Sequence, residues 1–129
     1  MSILSRLKSR IRKEGRVEPW ESGPPCPRVD TIVVGDVHGR ADLLAELIEK
    51  IEDVAPNATR VFVGDYIDRG PDSRAVLEII SEQEAAGACC LKGNHEEMCL
   101  EFLSQDDAQG FRWLRHGGLE TLASFGIPV

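Results

Sequence analysis

Three segments, Gly35–Gly39 (GDVHG), Gly64–Gly70 (GDYIDRG) and Gly93–Glu96 (GNHE), limit what this chain can fold into more than anything else in it. Each follows a short apolar run and opens a helix-like pattern. In each, a glycine is followed at once by a residue able to bind metal: Asp36, Asp65 and Asn94. These three positions lie 29 residues apart. A βαβ unit takes about 30 residues, so a repeat of this length brings one ligand per unit to the same edge of a parallel sheet.

The intervening pattern agrees. Thr31-Ile32-Val33-Val34 is a β-branched run suited to a buried strand, and Ala41–Ile51 carries Leu43, Leu44, Leu47, Ile48 and Ile51 on one helical face before Pro56-Asn57 breaks it. Val61-Phe62-Val63 reads as the second strand. A helix from Asp72 or Ser73 to about Ala86 follows, with Ala75, Val76, Ile79 and Ile80 inward. Gly87 ends that helix, Ala88–Leu91 is the third strand, and a helix over His95–Leu103 turns Met98, Cys99 and Phe102 inward. A shorter Trp113/Leu114 element, a Gly117-Gly118 break and a helical piece Leu119–Ser124 complete the chain. The fold class is α/β, a βαβαβα parallel sheet with flanking helices and right-handed connections. Ligands in such a sheet collect at the carboxyl ends of the strands, where all three motifs sit.

With 129 residues the chain is one domain at most. Charge divides it. Residues 1–16 carry net +5 and the remainder −12, giving −7 in all. So acidic a body argues against a nucleic-acid partner, which needs a basic surface to displace counterions. The basic segment places Ile3, Leu4, Leu7 and Ile11 at helical spacing opposite Arg6, Lys8, Arg10 and Lys13. It reads either as a helix lying on an anionic surface or as a solvated arm. Glu18 to Pro27 is a Pro-rich connector, so residues 1–28 form an arm and 29–129 the domain. No apolar run reaches the roughly 18–20 residues of a membrane span. No uninterrupted apolar h-region marks a secretory signal, and the expected location is the cytoplasm. Cys26, Cys89, Cys90 and Cys99 show no CxxC spacing and read as free thiols.

Chemistry concentrates at the strand ends. Asp36 and His38 can reach one cation from a single tight turn, Asp65 has two oxygens with which to bridge a pair of cations, and Asn94 offers a neutral oxygen to the second. Oxygen ligands with one imidazole suit Mn, Fe or Zn better than a thiolate site does. Two such ions bind phosphoryl oxygens and make a hydroxide nucleophile from water. Arg69 would clamp a phosphate, which Asn94 also contacts, and His95, oriented by Asp68, would give a proton to the departing alkoxide. Blander readings exist for each. Asp36 and Asp65 could satisfy loop backbone, Asn94 with Glu97 resembles a capping box, Asp68–Arg69 could be a local ion pair, and His116 reads as a loop residue rather than a ligand.

The motifs GDxHG, GDxxDRG and GNHE, intact and in order, resemble those of the calcineurin-like metallophosphoesterases, and among them the bacterial PPP-type serine/threonine protein phosphatases. The resemblance covers about residues 30–129 and implies Asp36, His38, Asp65 and Asn94 as metal ligands, Arg69 for phosphate, and His95 with Asp68 as the acid pair. It implies a four-layer αββα sandwich about twice this long. Its second half would supply further histidine ligands, so this stretch is the N-terminal part of the domain. The expected activity is hydrolysis of phosphoprotein monoesters with two divalent ions, and one ion or partial occupancy in these residues alone. Weak or absent turnover and self-association through uncovered sheet surface are also expected. The alternatives are a symmetrical dinucleoside tetraphosphatase, against which Glu96 and Asp68 both speak, and a non-catalytic phosphate-binding module.

Overall fold

The computed structural model describes residues 29–104 and 110–129. The basic arm, the Pro-rich connector and Cys26 lie outside the described residues. Strands β1 (Thr31–Val34), β2 (Thr59–Phe62) and β3 (Cys89–Cys90) form a parallel sheet in the order β1-β2-β3. Thr31 pairs with Thr59, Val34 with Phe62, and Phe62 in turn with Cys90. Helices α1 (Ala41–Val54) and α2 (Ser73–Ala85) make the crossovers, α3 (Asn94–Leu103) follows β3, and α4 (Gly110–Trp113) and α5 (Leu119–Ser124) flank a wide turn at Leu114–Gly118. This is the α/β order that the motif spacing predicts. Among the described residues no helix is long and apolar enough to cross a membrane.

Local rules account for most boundaries. Arg40 reaches Asp42 through two hydrogen bonds of 2.9 and 2.7 Å at the start of α1, and that contact holds the exposed Asp42 carboxyl down to about 2. α1 ends at Val54, since the residue before Pro56 is pushed out of helical geometry. Asp72 caps α2 by accepting the Ala75 N–H at 2.9 Å. Two expectations shift. β2 begins at Thr59 and ends at Phe62, because Val63 already bends into the motif loop, and β3 shortens to Cys89–Cys90 for the same reason at Leu91.

The sheet is covered unevenly. Arg60, on the same face as Phe62, reaches Glu52 of α1 and Gln83 of α2, and Cys90 Sγ approaches the Ile80 carbonyl of α2 at 3.9 Å. Both crossover helices therefore lie on that face, as two right-handed connections in sequential order require. Val34, Leu44, Ile48, Ile51, Phe62, Val76 and Ile80 form the core there, joined by Met98 and Trp113. On α1 the buried stripe is Leu44, Ile48 and Ile51; Leu43 and Leu47, expected inside, are exposed because one sheet face cannot cover five positions of a four-turn helix. Across the opposite face run Val33 (62% exposed), Val63 and Leu91.

Candidate active site

The loops following the three strands are held together by backbone. Val37 and His38 both donate N–H to the Asp65 carbonyl at 3.0 Å, and Gly39 donates to the Tyr66 carbonyl at 2.8 Å. At Gly64 (φ +101°) a Cβ would collide with the backbone of Gly93, so the second and third motifs touch only because both residues are glycine. The tight assembly carries strain. His38, Asp65, Asp68 and Arg69 all adopt left-handed φ between 45° and 75°, a conformation that costs a non-glycine residue on the order of 1 kcal/mol or more and persists only where surroundings enforce it.

Glu96 does much of the enforcing. Its carboxylate accepts four backbone N–H groups, from Asp65 (2.8 Å), Tyr66 (2.8 Å), Ile67 (3.2 Å) and Gly93 (2.9 Å). The last of these is one half of a capping box, the N3 carboxylate accepting the N-cap N–H; glycine has no side chain to supply the other half. The N-terminal tie of this helix thus runs from Gly93 to Glu96, not from Asn94 to Glu97, and Glu96 is a residue that sequence reasoning weighed only as a family marker. The Gly93-x-x-Glu96 spacing was the available signal. Tyr66 adds a second tie by donating its hydroxyl to the Leu91 carbonyl at 2.7 Å, and burial pushes that phenol up to about 12.

Two imidazoles face each other across this cluster, ring centroids 4.7 Å apart and nearly perpendicular. His38 Nδ1 lies 2.9 Å from the Ile67 carbonyl, and His95 Nδ1 lies 2.7 Å from Asp68 Oδ2. Carbonyl and carboxylate oxygens only accept, so each Nδ1 carries the proton and each Nε2 presents a lone pair inward. Nitrogen and oxygen atoms of His38, Asp65 and His95 lie within 4.8 Å of one another. Asp36 stands at the solvent edge, its carboxylate 3.7 Å from His38 Nε2. Asp65 Oδ1 accepts the His95 backbone N–H at 3.0 Å. Asn94 is the first residue of α3, exposed, and the described contacts give its side chain no partner. Arg69 extends between the rings, one guanidinium nitrogen 3.2 Å from His38 Nε2 and the other 3.1 Å from His95 Nε2.

Asp68 does not pair with Arg69. It is wholly buried and takes donors from His95, from Trp113 Nε1 at 2.8 Å and from Thr121 Oγ1 at 2.7 Å. Trp113 and Thr121 enter the site from 45 and 53 residues downstream; the resemblance takes in their segment, but nothing in the sequence assigns them to Asp68. His116 is exposed and closes back on the Arg112 carbonyl, away from the cluster.

A group with these donors fits a divalent ion. Two imidazole lone pairs and the Asp65 carboxylate converge, with Asp36 beside His38 at the rim; hard oxygen with imidazole is the donor set that first-row divalent ions take. His38 Nε2 has one lone pair and Arg69 uses it, so an ion there requires the guanidinium to turn away.

The profile of the calcineurin-like phosphoesterases matches residues 30–127. The chain is similar to a zinc-dependent endopolyphosphatase of Saccharomyces cerevisiae, 38% identical over 76% of this chain and 29% of that protein. It is also similar to serine/threonine-protein phosphatase 2 of Escherichia coli, 38% identical over 67% of this chain and 37% of that one. A symmetrical bis(5'-nucleosyl)-tetraphosphatase of a Janthinobacterium is 41% identical over 51% of this chain and 24% of its own length. The chain therefore spans about a third of the length of the curated relatives it matches. No solved structure matches it.

Proposed function

The chain belongs to the calcineurin-like phosphoesterases, and on that premise we propose that it supplies the metal-binding and acid half of a phosphomonoester hydrolase acting on phosphoprotein. The observation that carries this reading is the pairing of His95 with Asp68 at 2.7 Å, directly beside the Arg69 guanidinium and the His38–Asp65 donor group. Asp36, His38, Asp65 and Asn94 would hold divalent ions, and the His95 ring lies within 4.8 Å of the His38 and Asp65 donors. When bound, the ions supply a hydroxide nucleophile and neutralise phosphoryl charge.

The chain's own residues do the rest. Arg69, released from the two rings, binds phosphoryl oxygens through its planar donors, with Asn94 beside them. His95, in its protonated state, gives the Nε2 proton to the leaving alkoxide and keeps its Nδ1 proton on Asp68. Glu96 holds the Asp65–Ile67 loop against Gly93, so that carboxylate and imidazole meet the substrate in fixed register. Phosphoprotein is favoured over dinucleoside polyphosphate because Asp68 is paired with His95, an arrangement suited to protonating a serine or threonine alkoxide, a poor leaving group.

The test is hydrolysis of p-nitrophenyl phosphate and of a phosphothreonine peptide by purified protein, with and without Mn²⁺, beside Asp65→Asn. Metal-dependent turnover lost in the variant supports the reading. A clear preference for diadenosine tetraphosphate over the phosphopeptide would replace it with the nucleotide reading. Tight phosphate binding with no turnover on any substrate would favour a binding module.

A further inference from the structure

The wholly buried Asp68 carboxylate takes three side-chain donors, and two of them come from outside the three motifs. Oδ2 accepts His95 Nδ1–H at 2.7 Å and Trp113 Nε1–H at 2.8 Å; Oδ1 accepts Thr121 Oγ1–H at 2.7 Å. The Asp68 backbone N–H donates to Thr121 Oγ1 at 2.9 Å and to Ser73 Oγ at 3.1 Å, and the two hydroxyls lie 3.0 Å apart. Trp113 is 1% exposed and tilts against Phe102 at 4.9 Å, so its indole N–H is aimed by packing rather than free to choose a partner. Thr121 is 4% exposed, and its single hydrogen is committed to the carboxylate because its oxygen already accepts the Asp68 N–H.

We propose that Trp113 and Thr121 are positioning residues for His95. They clamp the two oxygens of Asp68 from the α4 and α5 side, which fixes the torsion of that carboxylate, and the carboxylate fixes the His95 ring with its proton on Nδ1. Without them Asp68 is free to rotate, Nδ1 loses its fixed acceptor, and the neutral ring can carry its proton on Nε2 instead. The ring would then present an N–H toward the site where a lone pair is needed to take up the next proton. The same segment reaches Arg69: Gly117 (φ +109°) accepts the Arg69 N–H at 3.3 Å, and a Cβ at that glycine would strike the Arg69 backbone. The stretch 110–124 is therefore working framework of the Asp68–Arg69 turn rather than only cover for the core.

The consequence for turnover rests on the hydrolase reading above; the control of the His95 tautomer does not. The experiment is long-range ¹H–¹⁵N correlation spectroscopy on the full chain labelled with ¹⁵N-histidine and free of metal. It compares wild type with Thr121→Val, Thr121→Ser and Trp113→Phe, with p-nitrophenyl phosphate kinetics in parallel. Wild type and Thr121→Ser should show the His95 ring locked as the Nδ1–H form with a low-field proton bonded to the carboxylate. Thr121→Val and Trp113→Phe should lose that low-field proton and gain a measurable share of the Nε2–H form. Where the protein turns over, kcat in these two variants should fall about ten- to hundredfold with KM nearly unchanged. A folded Thr121→Val whose His95 signals superimpose on wild type overturns the proposal. If Trp113→Phe does not fold, Thr121→Val alone decides. Absence of hydrolysis in wild type bears only on whether this half acts alone and leaves the tautomer result standing.

Discussion

On one face of the sheet Ile32, Val34, Phe62 and Cys90 lie beneath α1 and α2, and Phe62 has no exposed surface at all; on the other, Val33, Val63 and Leu91 are 62%, 39% and 49% exposed. The residue types are interchangeable. What differs is that each crossover helix returns to the same side, so the chain between residues 29 and 104 covers one face twice and the other not at all among the described residues. The covered face is also the anchored one. β2 runs from Phe62 straight into Gly64 and Asp65, whose loop also takes the N–H groups of Val37, His38 and Gly39 from the first motif. The lesson is that the site is finished where the sheet is finished. Among the described residues no buried side-chain nitrogen or oxygen lacks a partner, while a broad apolar face remains open a few residues away.

The sharpest way to break this contrast is to cut the covered side. Phe62→Ala should cost about 3–5 kcal/mol of unfolding free energy, since a fully buried aromatic leaves a cavity between two helices and a strand. Urea titration followed by circular dichroism would read it, and a loss under about 1 kcal/mol would mean the face is less packed than it stands here. Next comes the loop clamp. Glu96→Ala removes the acceptor of four N–H groups and should destabilise by about 2–4 kcal/mol, with Glu96→Gln recovering only part.

Alkali offers a smaller lever on the same side. The Tyr66 phenol is raised by burial from 10 to about 12, and the Cys99 thiol, by burial and then by nearby Asp68 and Glu96, from 9 to about 11. Both groups hold their proton longer folded than unfolded. Their contribution is whole below pH 9 and is lost as pH climbs through 11 and 12. Thermal midpoints should therefore decline progressively from pH 9 upward, and Cys99→Ser should flatten the first part of that decline. A midpoint constant from pH 8 to 11 would contradict this assignment. The smallest change is expected on the open face. Val33→Lys should move stability by less than about 0.5 kcal/mol. If self-association uses this face, the same substitution should reduce it in light scattering; unchanged association would point elsewhere, the 76%-exposed Phe111 being another apolar site.

The elements of the sheet were legible in the sequence because each is a local pattern: a β-branched run, a helical stripe, a proline or glycine stop. Their order was legible too, since equal motif spacing admits few topologies. So was the identity of most of the cluster. His38, Asp65, Asp68, Arg69 and His95 all sit in the motifs that drew attention to them, and they meet in space. Strand ends were less legible, because Val63 and Leu91 have strand chemistry and are pulled out of register by the loops they enter.

By itself the sequence determined an α/β chain with carboxylate and imidazole donors at the carboxyl edge of a parallel sheet. That much depends on spacing, and spacing is written in one dimension. Only the tertiary structure decided which partner each polar group takes. Asp68 turns from its neighbour Arg69 to His95, Trp113 and Thr121, and Glu96 spans two motifs through four backbone bonds. A buried carboxylate goes wherever enough donors converge, and no local pattern says that donors from 45 and 53 residues away will reach it.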